Sequence, residues 1–271
     1  MKTVITSCIT LFMAAIMANA QSNFQEKTVF KNDDVEIRQI DAHTWHGNGH
    51  LVYNESIYLI EGEKTALLID AGTRIPGLRK IVEGIVHKPV ILAATHVHPD
   101  HTGTAINEWD SIWINAADEV NIPKNYNLTV RKRYLTDGQV FDLGGRTIEV
   151  VFTPGHTPGS VTYIDKGRHY GFSGDAFGSG NLLVFTDLST EIASCQRLAR
   201  FIRKYDIHHF YPGHYWGDNL ETPQRVKDVG SICEGILDGT KKPNAPGENR
   251  SLPFIVQESG VKINYGEAQK R

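Results

Sequence analysis

The chain has 271 residues, 40% of them hydrophobic and 22% charged, with a formal net charge of −3 at pH 7. That balance is that of a soluble globular protein with a core large enough to need no disulfide staples, arranged as one large domain or two small ones. No long run of Lys or Arg is present, which gives no footing for a nucleic-acid partner held through its phosphates.

The first residues read as a secretory signal. Lys2 supplies the positive start, and an apolar stretch from Cys8 to Met17 is too short to span a bilayer. Ala18-Asn19-Ala20 then offers a small-x-small cleavage site before Gln21. The expectation is a signal peptide over 1–20, a periplasmic or secreted product, and no membrane anchor after cleavage. Residues 21–271 are expected to form one domain, with its core at about 35–238 and a short extension over 239–271. Cys8 leaves with the signal, so Cys195 and Cys233 remain, either as a disulfide or as two buried thiols.

Residues Gln21 to Asp34 are polar and read as a loose lead-in. Strand-like runs follow at Val35 to Ile40, Ser56 to Ile60 and Ala66 to Ile69, the last running into Asp70-Ala71-Gly72-Thr73. Pro76 to Val86 carries Leu78, Ile81, Val82 and Ile85 at helical spacing. Val90 to Ala94 is a short apolar strand, and a second helix is expected to begin near Gly103. Arg146 to Phe152 reads as a strand ending at Thr153-Pro154-Gly155. Ser160 to Asp165 and His169 to Phe172 read as a strand pair joined by Lys166-Gly167-Arg168. Thr190 to Tyr205 is a helix capped by Ser189 or Thr190, and His208 to Tyr211 is a strand. Thr222 to Leu237 is the last helix, stopped by Gly239. Phe254 to Gln257 and Val261 to Tyr265 make a closing hairpin. Hairpin strands followed by helical crossovers imply an α/β (α+β) architecture of two mixed sheets covered by helices on the outside.

The densest chemistry is His96-Val97-His98-Pro99-Asp100-His101, directly after an apolar strand. Imidazole nitrogen and carboxylate oxygen are donors for zinc, iron or manganese. His96 and His98 alternate on an extended segment and so face one point. Asp100 and His101 follow where the backbone bends, and can face a second point nearby. Three further residues of ligand type, His156, Asp175 and His214, each sit on a glycine-bearing turn at the end of a strand. Ligands at strand ends converge on one rim, where sheet-based sites form.

With these residues the chain resembles the metallo-β-lactamase superfamily over about residues 35–238. Asp70, the H-x-H-x-D-H string, His156, Asp175 and His214 match that superfamily's five motifs in order. The resemblance implies a four-layer αββα sandwich with two divalent metal ions, zinc first and iron or manganese as alternatives. It implies that His96, His98 and His156 hold one ion, that Asp100, His101 and His214 hold the other, and that Asp175 bridges them. Asp70 would brace the ligand loops from behind. Two divalent ions against two carboxylates and a bridging hydroxide leave a net charge of about +1, suited to attack on a carbonyl. Asp100 would orient that hydroxide and pass its proton to the leaving group.

The expected activity is therefore hydrolysis of a small ester, lactone or amide. A β-lactamase ranks lower, because the branch with a Cys ligand has its thiol where this chain has Asp175. The ligand set resembles glyoxalase II and the acyl-homoserine lactonases. About 30 residues after the last expected helix leave no room for glyoxalase II's glutathione-binding helices. A phosphodiesterase, an iron enzyme like the persulfide dioxygenases, and a non-catalytic metal-binding protein are the rival readings. The apolar loop Ala176 to Phe185, and Tyr215 with Trp216, either line the substrate pocket or simply pack. His46 and His50, on an early hairpin, are candidates to reach the groove, although packing is the commoner fate of such residues. Oligomeric state is left open.

Overall fold

The computed structural model describes residues 25–122 and 129–271, so the signal peptide expected over 1–20 lies outside the described residues. Strands β1 (Lys27–Lys31), β2 (Val35–Asp41), β3 (Thr44–Gly49), β4 (Ser56–Glu61), β5 (Ala66–Ile69), β6 (Val90–Ala93), β7 (Ser111–Ile114) and β8 (Arg131–Tyr134) lie side by side in chain order as one sheet. Pairing is antiparallel from β1 to β5 and parallel from β5 to β8. The second sheet uses β9 (Val140–Asp142), β10 (Thr147–Phe152), β11 (Val161–Asp165), β12 (Tyr170–Gly174) and β14 (His209–Pro212), in the order β14-β12-β11-β10-β9. Its β12–β14 pair is parallel and its other pairs are antiparallel. A third sheet orders β13 (Asn181–Leu183), β17 (Val261–Tyr265), β16 (Leu252–Glu258) and β15 (Ala245–Asn249).

Helices α1 (Leu78–Val86), α2 (Leu188–Tyr205) and α3 (Pro223–Leu237) cover the outer faces. Leu78, Val82 and Val86 of α1 pack with Ile37, Ile57, Leu68 and Leu92 of the large sheet. The two large sheets meet through Tyr58, Ile60, Leu67 and Ile69 on one side and Ile148, Val150, Tyr163 and Phe172 on the other. Val151, Ile164 and Phe210 face outward onto Leu188 and Leu198 of α2 and Val226, Val229 and Cys233 of α3. The layers are therefore helix, sheet, sheet, helix. Strand β5 is apolar throughout because Leu68 and Leu67 belong to different cores on its two faces.

Connectivity sets the rim. Because β5–β6 and β12–β14 are parallel pairs, and β10 runs antiparallel to β11, the ends of β5, β6, β10, β12 and β14 all open at one edge of the sandwich. All seven expected ligands follow these strand ends.

Several expectations are corrected. The helix expected from Gly103 is a single 3-10 turn, Thr104–Glu108. Glu108 is instead spent capping α1, accepting from the backbone N–H groups of Gly77 and Arg79 at 2.8 and 2.9 Å, and β7 starts three residues later. The loose lead-in contains β1, whose exposed side chains give no apolar pattern and whose order comes from pairing with β2. Helix α2 is capped by Asp187, whose carboxylate accepts from Thr190 N at 2.8 Å, rather than by Ser189 or Thr190. Residues 239–271 build most of the third sheet, and its Val256, Val261, Ile263 and Tyr265 enter the α2–α3 core. Of the two alternatives held open for Cys195 and Cys233, the structure has the second, two buried free thiols.

Candidate metal centre

The segment leaving β6 is pinned before it reaches His96. Asp70, at the end of β5, takes a left-handed backbone (φ 63°), and its buried carboxylate accepts from Thr95 N at 2.7 Å and Thr95 Oγ1 at 2.8 Å. Its Oδ2 also lies 2.8 Å from His101 Nδ1. That carboxylate accepts from His101 Nδ1–H, which aims Nε2 of the ring into the site. Asp70 therefore braces both ends of the H-x-H-x-D-H loop and stands behind the candidate ligands.

Two convergent groups result. His98 Nδ1 lies 3.0 Å from both His96 Nε2 and His156 Nε2. Metal–nitrogen bonds of 2.0–2.1 Å at tetrahedral angles place ligand nitrogens about 3.3 Å apart, so these three rings have the spacing of a ligand triad. In the second group, His214 Nε2 lies 3.6 Å from Asp100 Oδ2, and His101 Nε2 lies 3.8 Å from the same oxygen. Asp175 stands between the groups: Oδ2 is 3.7 Å from His156 Nε2 and 3.4 Å from His214 Nε2, and Oδ1 is 3.6 Å from His101 Nε2. All seven sequence-predicted residues are thus brought together.

Fit to a metal is testable on the groups left over. Among the described residues, His101 Nε2 and Asp175 Oδ1 are buried with no hydrogen-bond partner. Such an orphaned donor set costs stability unless something fills it. Burial drives His96 well below the ordinary imidazole range and His156 down to about 4, so these rings are neutral and offer lone pairs. At the second group burial opposes charge on His101, but Asp100, Asp70 and Asp175 outweigh it and hold the ring up to about 10. Burial also opposes charge on Asp175, but His214 and His101 outweigh it and hold the carboxyl well below the usual range. The carboxylates here demand a positive partner. A divalent cation would supply that charge and leave His101 free to bind through Nε2. The residues present fit two divalent ions.

Outside the seven, the fold recruits residues that no local motif marks. Asp118, fully buried, accepts from Val97 N (2.8 Å), Thr157 Oγ1 (2.9 Å) and Gly159 N (2.6 Å), tying the His96–His101 loop to the His156 loop. Leu183 O lies 2.8 Å from His156 Nδ1, and Tyr53 O lies 3.1 Å from His214 Nδ1, so both rings are aimed by backbone carbonyls. Gly213 is required by close approach, since a Cβ there would stand 2.0 Å from Asp175 Oδ1.

The aromatic neighbours divide. Ala176, Phe177, Leu182 and Val184 are buried in the core, whereas Phe185 is partly exposed, with its ring 5.8 Å from that of His98 and 5.5 Å from that of His156. Tyr53 is exposed, edge-on to His214 at 6.5 Å. Tyr215 is buried, and Trp216 is exposed with its backbone N–H on Asn219. His46 stays out of the centre. It is buried between Tyr58 and Tyr215, with ring distances of 5.4 and 4.9 Å. His50 is exposed, 2.9 Å from Asp33 O.

Residues 51–220 match the family model described as Metallo-beta-lactamase superfamily. The chain belongs to that superfamily. It is 28% identical over 200 residues to the acyl-coenzyme A thioesterase MBLAC2 of Gallus gallus, covering 59% of this chain and 72% of that protein. Against a hydroxyacylglutathione hydrolase of Xylella fastidiosa it is 31% identical over 146 residues, covering 52% of this chain and 53% of the relative. A solved metallo-beta-lactamase from Pontibacter korlensis superposes with a TM-score of 0.61 at 20% identity, over 74% of this chain and 99% of that one. A metallo-beta-lactamase family protein from Thermus thermophilus gives 0.54 at 17% identity, over 70% and 78%. Both share the fold.

Proposed function

We propose that the chain is a metal-dependent hydrolase of carboxylic ester bonds, thioester or oxygen ester, whose substrates carry an apolar acyl group. The observation that carries this reading is the convergence of His96, His98, His156, Asp100, His101, His214 and Asp175 on two adjacent points, with His101 Nε2 and Asp175 Oδ1 unpartnered among the described residues. His96, His98 and His156 would hold one divalent ion and Asp100, His101 and His214 the other, with Asp175 reaching both; zinc is the first candidate. When bound, such ions polarise a carbonyl and lower the pKa of water.

The chain's own residues supply the rest. Asp100 sits at the more open side of the cluster, and its carboxylate takes the proton of the attacking water and passes it to the leaving thiolate or alkoxide. The products are a carboxylic acid and a free thiol or alcohol. Phe185 on the His98–His156 side and Tyr53 on the His214 side give an acyl group apolar walls. The names of the relatives favour thioesters, and the carboxylate at Asp175 in place of a thiol favours them over β-lactams.

We also propose export, from the signal-like residues 1–20. Export would separate the protein from cytosolic coenzyme A, so the acyl group, not the carrier, is what this site specifies. Cell fractionation with intact-mass measurement tests this part: an exported chain that starts at Gln21, free or as pyroglutamate, supports it, and a chain that keeps Met1 and stays in the cytosol overturns it.

The activity is tested with metal-quantified protein on acyl thioesters, aryl esters, lactones, nitrocefin and bis-aryl phosphates. The proposal expects thioesters or esters to be turned over best, with loss of activity on chelation and recovery on adding zinc. A preference for the phosphodiester, or turnover that survives chelation with no metal bound, sinks it. A single bound iron with oxygen consumption would instead establish the oxidative rival.

A further inference from the structure

A second group of metal-type donors lies at the opposite end of the second sheet. His169 ends the turn into β12, Asp206 caps the C-terminus of α2, and His208 precedes β14. Parallel pairing sets Tyr170 beside His209, and His208 N donates to His169 O at 2.7 Å, so the two histidines are neighbours through the backbone. One ring nitrogen from each and one carboxylate oxygen of Asp206 all lie within 4.8 Å of one another. The rings stack at 5.4 Å and 14°, and His208 Nε2 is 3.3 Å from Asp206 Oδ2.

Two features make this more than a histidine-rich surface. First, His169 Nδ1 lies 3.1 Å from both Tyr205 O and Asp206 O. That contact fixes the proton on Nδ1 and leaves the Nε2 lone pair for a ligand, as the outer hydrogen bond of a metal-bound histidine does. Second, those carbonyls end an 18-residue helix, whose C-terminus attracts positive charge. Against this stand Arg203 and Lys204 in the last turn of α2, and Lys166. The ammonium groups of Lys166 and Lys204, however, lie over the Tyr205 ring at 4.1 and 4.9 Å.

We propose that His169, Asp206 and His208 form a separate, solvent-facing site for a divalent late transition metal, zinc or copper(II), with water completing the shell. Two imidazoles and a carboxylate are the donors those ions prefer. The ion would clamp the β11–β12 turn to the α2–β14 junction. Six residue steps of nearly extended chain lead from His169 to Asp175, about 20 Å, so this ion is too far away to take part in the chemistry at the rim.

The test counts metal. The full chain, loaded with zinc and dialysed, is equilibrated against stepped concentrations of free zinc, and bound metal is measured by atomic emission. The proposal expects one additional ion per chain in the micromolar range, with His169 and His208 protected from carbethoxylation as it binds. His169→Asn suits the left-handed backbone at that position (φ 61°). His208→Gln is the second variant, in case the first does not fold. Each should weaken this ion by about tenfold or more and leave the ions at the rim and ester hydrolysis unchanged. A metal count that does not rise, or an extra ion bound equally well by both variants, overturns the proposal.

Discussion

The two ends of the sandwich bury polar groups on opposite terms. Beyond β10 and β11, away from the rim, Arg146 spends its guanidinium on Asp165 Oδ2 at 2.7 Å, His43 O at 2.7 Å, Glu61 O at 3.3 Å, Thr44 Oγ1 at 2.8 Å and Tyr170 OH at 3.0 Å. Tyr170 in turn donates to Asp41 at 2.5 Å. Every donor of a side chain that has five N–H groups to offer is engaged there. At the rim the reverse holds: among the described residues His101 Nε2 and Asp175 Oδ1 have no partner, and imidazole nitrogens face one another at 3.0 Å. A satisfied polar network holds two sheets together. An unsatisfied one has donor atoms to spare for a cation, and the fold stabilises it from behind through Asp70 and Asp118.

The largest effect expected is at Asp175. Asp175→Ala should lower hydrolysis more than about 100-fold, beyond the range expected for a residue behind the ligands, and reduce bound metal below two ions per chain. Full activity in that variant would break the contrast. At the other end, Arg146→Met leaves the buried Asp165 carboxylate without its ion-pair partner. It should cost about 3–5 kcal/mol and lower Tm by roughly 10 °C, with turnover per folded molecule intact. A loss of activity without loss of stability would show that this end is not merely structural. Asp70→Asn sharpens the role of the brace. Metal affinity, read by competition with a chromophoric chelator, should fall roughly 10–100-fold, and an unchanged affinity would remove Asp70 from the account. The smallest effect is at Phe185, which is 39% exposed. Phe185→Ala should raise KM for long-chain acyl substrates by less than about tenfold, since only part of one aromatic side chain is withdrawn, and leave acetyl esters unaffected. Equal loss on both would point to ring packing on His98 and His156 instead.

Much of the candidate site was readable because its spacing is local. His96, His98, Asp100 and His101 announce themselves within six positions, and His156, Asp175 and His214 each follow an apolar run and a glycine turn. Asp118 could not be read. It lies in Asn115-Ala116-Ala117-Asp118, an ordinary turn sequence, and its partners in the two histidine loops are 21 to 41 residues away. The same limit explains β1, whose side chains are too polar to signal a strand, and β15, whose Pro246 and Gly247 read as a turn; the order of each comes from pairing, with β2 and with β16. His46 was ambiguous for a related reason: the residue type suits a ligand, and only its burial between two tyrosines assigns it to packing.

By itself the sequence determined the types of the candidate ligands, their order, and the strand ends that carry them, because these depend on residue chemistry and on periodicities of two and 3.6. Tertiary structure decided which strand ends share a rim, since parallel or antiparallel pairing is set between segments far apart in the chain. It also decided which aromatic side chains face the site: in the stretch after Asp175, Phe177 turns into the core and Phe185 turns out beside two histidines. That choice follows from α2 and the third sheet closing over the first part of the stretch, a contact that no local pattern encodes.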